Sequence, residues 1–346
     1  MKVLVTMGDF ADEGDGRIVR VDLASGRAEE VMVWRPRDER RVCGKGFTGI
    51  AWLGVPGLSE LIVCAPNELC RIDPKRWVVT GELHQPCMND LHHVAVDGDR
   101  LLVANTGLDR VDVFDRQGRF EGGWDLAPAW VTAARMAGRT PTRAGWSAAR
   151  TPGWDGGVAT FEEEQPTSDY YASAAGEAPF HQRKVRDFVH PNHVAVVDGR
   201  VLVTRFQDRS VQDLSDWRVV IPETPGHPHD GFEADGLFWL TCTQGLVVAY
   251  AMEKGRVTAR EVERMDVFEC TGRSGWCRGL LVTDDVLVVG LTAIERAPRY
   301  RWCDRPFAET ETSILVIDRR TKVLNARIEL GSLGRSPKLF AMVEEP

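Results

Sequence analysis

The sequence has few of the features that mark membrane, nucleic-acid-binding or disulfide-rich proteins. No apolar run approaches the ~20 residues that a membrane-spanning helix needs, so no membrane partner is expected. Lysine and arginine number 43 against 51 aspartates and glutamates, and this net charge of −8 argues against nucleic acid as a partner. The eight cysteines contain no C-x-x-C pair, and several lie within apolar runs, so we expect most to be reduced and buried.

The overall composition is that of a globular protein with a large core, because 43% of the residues are hydrophobic and 27% are charged. Residues 1–5 (MKVLV) run directly into strand-like sequence, which is not typical of a signal peptide. Together with the reduced cysteines, this predicts a cytoplasmic protein. Repeat-built β folds of this length commonly form one domain, so residues 1–346 are expected to be a single domain.

The histidines are concentrated in a short motif that occurs three times. Of the eight histidines, six lie in residues 89–96 (NDLHHVAV), 189–196 (VHPNHVAV) and 226–232 (GHPHDGF). Each copy is followed by a turn and a β-rich run. The histidines therefore occupy one fixed place in a repeated structural unit.

The repeated unit contains four short strands, which is typical of a β-propeller. Five complete units begin near residues 45, 90, 190, 229 and 275, each at the inner strand. The N-terminal segment supplies three strands of a sixth unit, and residues 338–343 match its missing inner strand. We therefore predict an all-β, six-bladed β-propeller, closed by pairing of the C-terminal strand with the N-terminal blade. Seven blades remain an alternative if residues 126–188 contain a degenerate one.

Two insertions break the regular spacing, at about residues 126–188 and 295–312. In a propeller, the loops that lead into inner strands and those that join second to third strands lie on the same face. Both insertions are therefore expected to cover the end of the propeller where the histidine motifs begin. The longer one is interpreted as a lid, and long loops at one end of a scaffold favour a binding site.

The start of the inner strands predicts a set of side chains at the propeller axis. Because strand side chains alternate, only one member of each neighbouring pair is expected to face the channel. His93, His193 and His229 are the predicted ligands of a divalent transition metal, since neutral imidazole suits zinc, iron or copper. His92 instead of His93, and Asp230 instead of His229, remain alternatives. Asp230 is a fourth ligand or a carboxylate that orients a histidine.

Further residues are assigned by their place around this ring. The predicted catalytic residues are Arg278, Asp230, His190 and His227, and the predicted substrate-binding residues are Arg183, Arg186, Arg205 and Lys338. Arginine and lysine would anchor a carboxylate or phosphate.

A simpler interpretation of the repeated histidines is that the repeats share residues by common ancestry. The histidine is absent from the blades that begin near residues 45 and 275 and from the closing blade. The repeat itself therefore does not require it.

The arrangement of inner-strand residues resembles the six-bladed propellers of the NHL-repeat, gluconolactonase (SMP-30) and peptidyl-hydroxyglycine amidating-lyase groups. This resemblance implies a divalent cation on the axis. The amidating lyases use three histidines from three blades with an arginine nearby, and His93, His193, His229 and Arg278 resemble that layout. The gluconolactonases use Glu, Asn and Asp ligands, from which this sequence departs.

The sequence favours a metal-dependent lyase or hydrolase that acts on a small polar or anionic molecule at the axis. One alternative is a non-haem iron or copper oxidoreductase at the same histidine site, with Cys277 as a possible soft ligand. Another is a non-catalytic propeller that binds a ligand or a protein. The oligomeric state is left open.

Overall fold

Six four-stranded antiparallel sheets form the architecture, and they confirm the predicted six-bladed β-propeller. The computed structural model describes residues 1–11, 14–40, 42, 45–85, 88–126, 188–294 and 310–346. The predicted lid therefore lies almost entirely outside the described residues, as does most of the second insertion. Among the described helices, none is long and apolar enough to cross a membrane.

Each blade begins with an inner strand at the axis and ends with an outer strand. Blade 1 contains β24 (Pro337–Glu345), β1 (Lys2–Asp9), β2 (Gly16–Asp22) and β3 (Arg27–Trp34). Blade 2 contains β4 (Ile50–Trp52), β5 (Leu61–Ala65), β6 (Glu68–Asp73) and β7 (Val78–Leu83). Blade 3 contains β8 (Leu91–Asp97), β9 (Arg100–Asn105), β10 (Arg110–Asp115) and β11 (Phe120–Asp125).

The other three blades follow the same order. Blade 4 contains β12 (Pro191–Val197), β13 (Arg200–Arg205), β14 (Ser210–Asp213) and β15 (Arg218–Ile221). Blade 5 contains β16 (Phe232–Ala234), β17 (Leu237–Cys242), β18 (Leu246–Glu253) and β19 (Arg256–Asp266), and blade 6 contains β20 (Trp276–Val282), β21 (Val286–Thr292), β22 (Ser313–Asp318) and β23 (Leu324–Glu329). A short helix, α1 (Val267–Thr271), follows β19, and 3-10 turns occupy Asp38–Arg40, Thr106–Leu108 and Gly331–Leu333.

The hydrophobic core is divided among the junctions between neighbouring blades. One cluster packs β1, β2 and β24 of blade 1 against blade 6, and a second, with Trp239 and Leu287, joins blades 5 and 6. Four further clusters fill the remaining junctions. Because sheets cover both faces, second strands such as β5 (LIVCA) are buried at every residue. This explains why they appear in the sequence as continuous apolar runs.

The ring closes through β24, as the sequence predicted. This strand pairs with β1 from Lys2 opposite Glu345 to Asp9 opposite Pro337. Arg20 of β2 adds a bidentate ion pair, because its Nε lies 2.7 Å from one Glu345 oxygen and its Nη2 lies 2.7 Å from the other. The Glu345 side chain raises the pKa of Arg20. Residues from the two ends of the chain thus hold one blade together.

Hydrogen bonds close to the axis cross all six blade junctions, and we refer to them as the axial belt. Five of its donors are threonine hydroxyls of inner or second strands, or of the turns beside them. The belt consists of the bonds from Thr6 to the Thr48 carbonyl, Thr48 to Leu91, Thr106 to Pro191, Thr204 to His229, Thr292 to Leu339, and the Gly279 amide to the Asp230 carboxylate. The inner strands are therefore tied to one another all around the ring.

Removal of the closing ion pair is expected to weaken the protein measurably. Arg20→Ala should lower the free energy of unfolding by about 1–2 kcal/mol, because the pair is bidentate and partly buried. Chemical denaturation of Arg20→Ala, Glu345→Gln and the double variant would measure the coupling free energy between the two side chains. Arg264→Ala is the matched control, since its bidentate pair with Glu261 is local and more exposed. An equal loss of unfolding free energy in Arg264→Ala would show that the Arg20–Glu345 pair stabilises the protein no more than a local ion pair does.

Candidate functional site

Irregular pairing at the start of the inner strands determines which side chains reach the axis. In β8, Leu91 pairs with Asn105 and His93 with Ala104, so His92 is an extra residue. In β12, Pro191 pairs with Arg205 and His193 with Thr204, so Asn192 is the extra residue. A bulge of this kind interrupts the strict alternation of side chains.

The expectation that only one member of each pair faces the channel assumed strict alternation, which these bulges interrupt. Both His92 and His93 contact other inner strands, at two successive levels. We refer to the level of His93, His193 and Asp230, which line one cavity, as the deep level. His92 and Asn192 precede this level on β8 and β12, and we refer to them, with Phe340 and Arg278, as the upper level.

At the deep level, His93 and His193 from adjacent blades stack on each other. Their ring centroids are 3.5 Å apart and the planes are inclined by 27°. The Nδ1 atom of each ring is buried and has no hydrogen-bond partner among the described residues. Burial lowers the pKa of His93 to about 4, and burial together with His93 and His229 lowers the pKa of His193 well below its ordinary value. Both imidazoles are therefore neutral at pH 7.

Asp230 lies at the deep level, and His229 directly precedes it on the same blade. The His229 Nδ1 lies 3.3 Å from an Asp230 oxygen. Burial lowers the pKa of His229, although the Asp230 carboxylate acts in the opposite direction. Asp230 also accepts hydrogen bonds from the Gly279 amide at 2.8 Å and from the Thr241 hydroxyl. These bonds fix the carboxylate beside the imidazole, as expected of a residue that orients a histidine.

At the upper level, His92 belongs to a polar chain that links three blades. Its Nδ1 lies 2.8 Å from the Asn192 amide oxygen, and Asn192 donates to the Pro228 carbonyl. On its other side, the His92 Nε2 lies 3.5 Å from Asp90, which is paired with Lys45 at 2.7 Å. Burial lowers the pKa of His92 to about 3, against the effect of Asp90. His92 is thus linked to Asn192 and Asp90. The described residues offer the His93 Nδ1 no hydrogen-bond partner.

His190 and His227 lie near the upper level rather than beside the predicted metal ligands. The His190 ring is 5.0 Å from that of His92 and 5.1 Å from that of Phe206. Phe206 in turn stacks on His227 at 4.5 Å, and the His227 Nδ1 lies 2.7 Å from the Phe206 carbonyl. The structure therefore groups these two histidines with His92.

Two buried basic side chains lie at the same end of the axis, around the ring of Phe340. The Arg278 guanidinium lies 4.5 Å from the Trp276 ring and 4.9 Å from that of Phe340. The Lys338 ammonium lies 4.5 Å from the Phe10 ring and 4.7 Å from that of Phe340. Both cations are almost fully buried, at 5% and 3% exposure. Aromatic faces therefore hold two buried cations at this end of the axis.

The remaining predicted residues are placed differently. Arg205 is held by Gln212 and Asp208, each at 2.6 Å, so its guanidinium is occupied within blade 4. Arg183 and Arg186 lie outside the described residues. Cys277 is packed in the core between blades 5 and 6, and burial raises its pKa well above the ordinary value. It therefore stays a protonated core thiol, contrary to its suggested role as a soft ligand.

The sequence interpretation missed three residues that organise the site. Asn192 joins His92 to the next blade, and Phe340 separates the two basic groups. Asp109 accepts hydrogen bonds from the backbone amides of Phe188, Val189 and His190 at 2.8, 3.0 and 2.8 Å. Asn192 could have been found from the sequence, because alignment of the motifs NDLHH and VHPNH places it at the position of His92. Nothing local in the sequence identified Phe340 or Asp109.

A metal ion fits the chemistry of the deep level, although the side chains are not arranged around one. Three neutral imidazoles are a suitable donor set for zinc, iron or copper. The two buried Nδ1 atoms without partners are costly unless a ligand satisfies them. Among the described residues, however, no group of three or more His, Cys, Asp or Glu side chains is spaced for a metal ion. The stacked rings would have to separate to admit one.

A cavity of about 590 Å³ reaches the deep level from the opposite end of the propeller. His93, His193 and Asp230 form its inner end, and residues from all six inner strands line it. It continues along the strands towards Trp52, Thr283 and Glu344, where the inner strands finish. The deep histidines are therefore approached from the end away from the predicted lid, which differs from the expected arrangement.

Comparison with solved structures agrees with the propeller architecture that the sequence resembles. A candidate 6-phosphogluconolactonase from Bacteroides fragilis has a TM-score of 0.51 and 12% identity, covering 99% of this chain and 97% of that one. The chain is a six-bladed β-propeller. A chain of a nidogen–laminin complex has a TM-score of 0.55 and 9% identity, covering 98% and 97%.

A streptogramin B lyase is also similar, with a TM-score of 0.47 and 12% identity over 94% of this chain and 88% of that one. No family model and no curated protein matches the sequence. At these identities the likeness shows the fold alone, because propellers with unrelated activities share it. The function must be inferred from the site.

Proposed function

We propose that the protein is a metal-dependent enzyme of lyase or hydrolase type that acts at the propeller axis on a small polar or anionic substrate. His93, His193 and His229 would hold a divalent transition metal. The observation that carries the proposal is the pair of buried, neutral imidazoles whose Nδ1 atoms lack partners. Structural histidines in a core are normally hydrogen-bonded, so this pair favours a ligand-binding role.

The residues around the deep level would have separate tasks. Asp230 orients His229 and keeps its own position through Gly279 and Thr241. Arg278 and Lys338 would attract the negative charge of a substrate from the upper level. His190, whose ring lies 5.0 Å from that of His92, and His227, on the other side of Phe206, would move a proton there. When bound, the metal would polarise a substrate oxygen or make a water more acidic.

The other candidate enzyme, an iron or copper oxidoreductase, would use the same three histidines. The core position of Cys277 removes the soft ligand that this hypothesis included. The two enzyme hypotheses differ in the metal that the purified protein retains, since zinc is redox-inert and iron and copper are not. A non-catalytic propeller would retain none.

Metal analysis of protein purified without chelators is the test. We expect about one equivalent of zinc, iron or copper per chain, and its loss in the His93→Ala, His193→Ala double variant with the circular dichroism spectrum unchanged. His84→Ala is the matched control, because His84 bonds to the Asn67 carbonyl in blade 2 and not at the axis.

Full metal content in the double variant would refute the ligand assignment. Absence of metal after incubation with all three ions would leave the non-catalytic alternative.

A further inference from the structure

We infer that the axial cavity beyond the histidines binds an elongated, uncharged apolar small molecule, with any polar group of that molecule at the His93 and His193 end. This inference concerns the metal-free protein, because the cavity ends at His93 and His193, which the proposed metal would occupy. It does not rest on the proposed metal chemistry. The cavity volume of about 590 Å³ lies within the range of about 300–1,000 Å³ that small-molecule pockets occupy. The inner strands of all six blades line it, so it is enclosed by the most rigid part of the fold.

The lining is suited to an apolar molecule. Its walls are formed mainly by aliphatic and aromatic side chains, including Ile50, Trp52, Ala95, Ala195, Phe232 and Met342. Polar side chains occur at its two ends, as His93, His193 and Asp230 on the inside and Thr283 and Glu344 at the opening. A ligand with an apolar body and at most one polar end matches this distribution.

The charges at the inner end of the cavity disfavour an anionic end group. Asp230 lies at that end, and no lysine or arginine is among the lining residues. The N-terminal amine of Met1 lies with Glu344 and Pro346 at the opening, away from Asp230. A carboxylate buried beside Asp230 would be costly because like charges repel. A hydroxyl, amide or carbonyl would instead meet the two imidazoles.

The opening of the cavity carries exposed apolar side chains that would favour capture of such a molecule. The turn between β4 and β5 places Pro56 in the cavity lining, while Val55 and Leu58 beside it are 64% and 79% exposed. Exposed large apolar residues clustered at an opening mark binding surfaces more often than scattered ones. The wall of the cavity and its rim are therefore both apolar.

The test uses the uncharged fluorescent probe N-phenyl-1-naphthylamine with the full chain after treatment with a chelator. We expect micromolar binding that weakens at least about tenfold in Ala195→Phe. Ala195 lies two residues beyond His193 on β12, so both side chains face the cavity and a phenyl ring would fill it. Ala95→Phe on β8 is a second blocking variant if the first does not fold. Val219→Phe on the exposed outer strand β15 is the control and should bind unchanged.

Competition distinguishes the chemical class of the ligand. Decan-1-ol should displace the probe at a concentration at least about tenfold lower than decanoate does, because the carboxylate meets Asp230. Equal displacement by decanoate would overturn the assignment of an uncharged ligand. Unaltered probe binding in both blocking variants, or no binding to the unaltered chain, would overturn the cavity as the site. Metal content is measured independently, so either proposal can fail alone.

Discussion

The free energy of unfolding of the metal-free protein is expected to fall steeply as the pH is lowered from about 6.5 to about 4. Burial lowers the pKa of four axial histidines: His92 to about 3, His93 to about 4, and His193 and His229 below their ordinary value of 6.5. In the folded protein they take up protons only at a lower pH than in the unfolded chain. In the unfolded chain they take up protons below pH 6.5, which favours unfolding.

The size of the effect follows from the number of protons. Each histidine that is protonated only in the unfolded state contributes a slope of about 1.4 kcal/mol per pH unit. Four of them give an upper limit of about 5 kcal/mol per pH unit. The contribution is fully present above about pH 6.5 and is lost progressively towards the folded-state values. Urea denaturation of chelator-treated protein at a series of pH values would measure it.

A single substitution separates these histidines from other titrating groups. His92→Gln should reduce the slope by about one proton, since glutamine retains a partner for Asn192 without titrating. His84→Gln is the control variant, because His84 lies in blade 2 and away from the axis. A flat pH profile, or equal slopes in the two variants, would show that the axial histidines are charged in the folded protein.

The second large effect is expected at Asp109, which precedes β10. Its buried carboxylate accepts three backbone hydrogen bonds from residues 188–190, and so fixes the approach to β12 and the position of His190. Asp109→Ala should lower the free energy of unfolding by about 3–5 kcal/mol, because hydrogen bonds to a charged acceptor are lost and buried amides are left unpaired. Thermal or chemical denaturation measures this loss.

Asp109→Asn provides the comparison for this position. Asp109 has a positive φ of 54°, which asparagine tolerates and alanine does not. The Asn amide oxygen can still accept from two of the three amides, so about half of the stability should be retained. If Asp109→Ala lowers the free energy of unfolding no more than a surface substitution does, these bonds do not hold the loop.

The fold was predictable from the sequence because the strands carry strong local signals. Continuous apolar runs such as LIVCA occur where a strand is covered by neighbouring blades on both faces. The same signal identified residues 338–343 as an inner strand, and β24 pairs with β1 as expected. The Asp residues that end third strands behave as turn residues too, as in Asp73, which accepts from the Lys75 and Arg76 amides.

The geometry of the candidate site was only partly predictable. The repeated histidines correctly located residues that converge, since His93 and His193 stack across blades. The bulges at His92 and Asn192 depend on pairing between strands and leave no local pattern, so the alternation rule failed there. The cavity arises from the taper of six strands around one axis. It could not be inferred from any one blade.

The axial belt has a consequence for how this propeller would come apart. In an open chain of modules, a terminal unit can detach by breaking one interface. Here every blade is held on two sides, because belt bonds span each junction from Thr6 and Thr48 round to Thr292. Release of any single blade requires two simultaneous ruptures, so partial fraying is suppressed and the protein should melt in one concerted step.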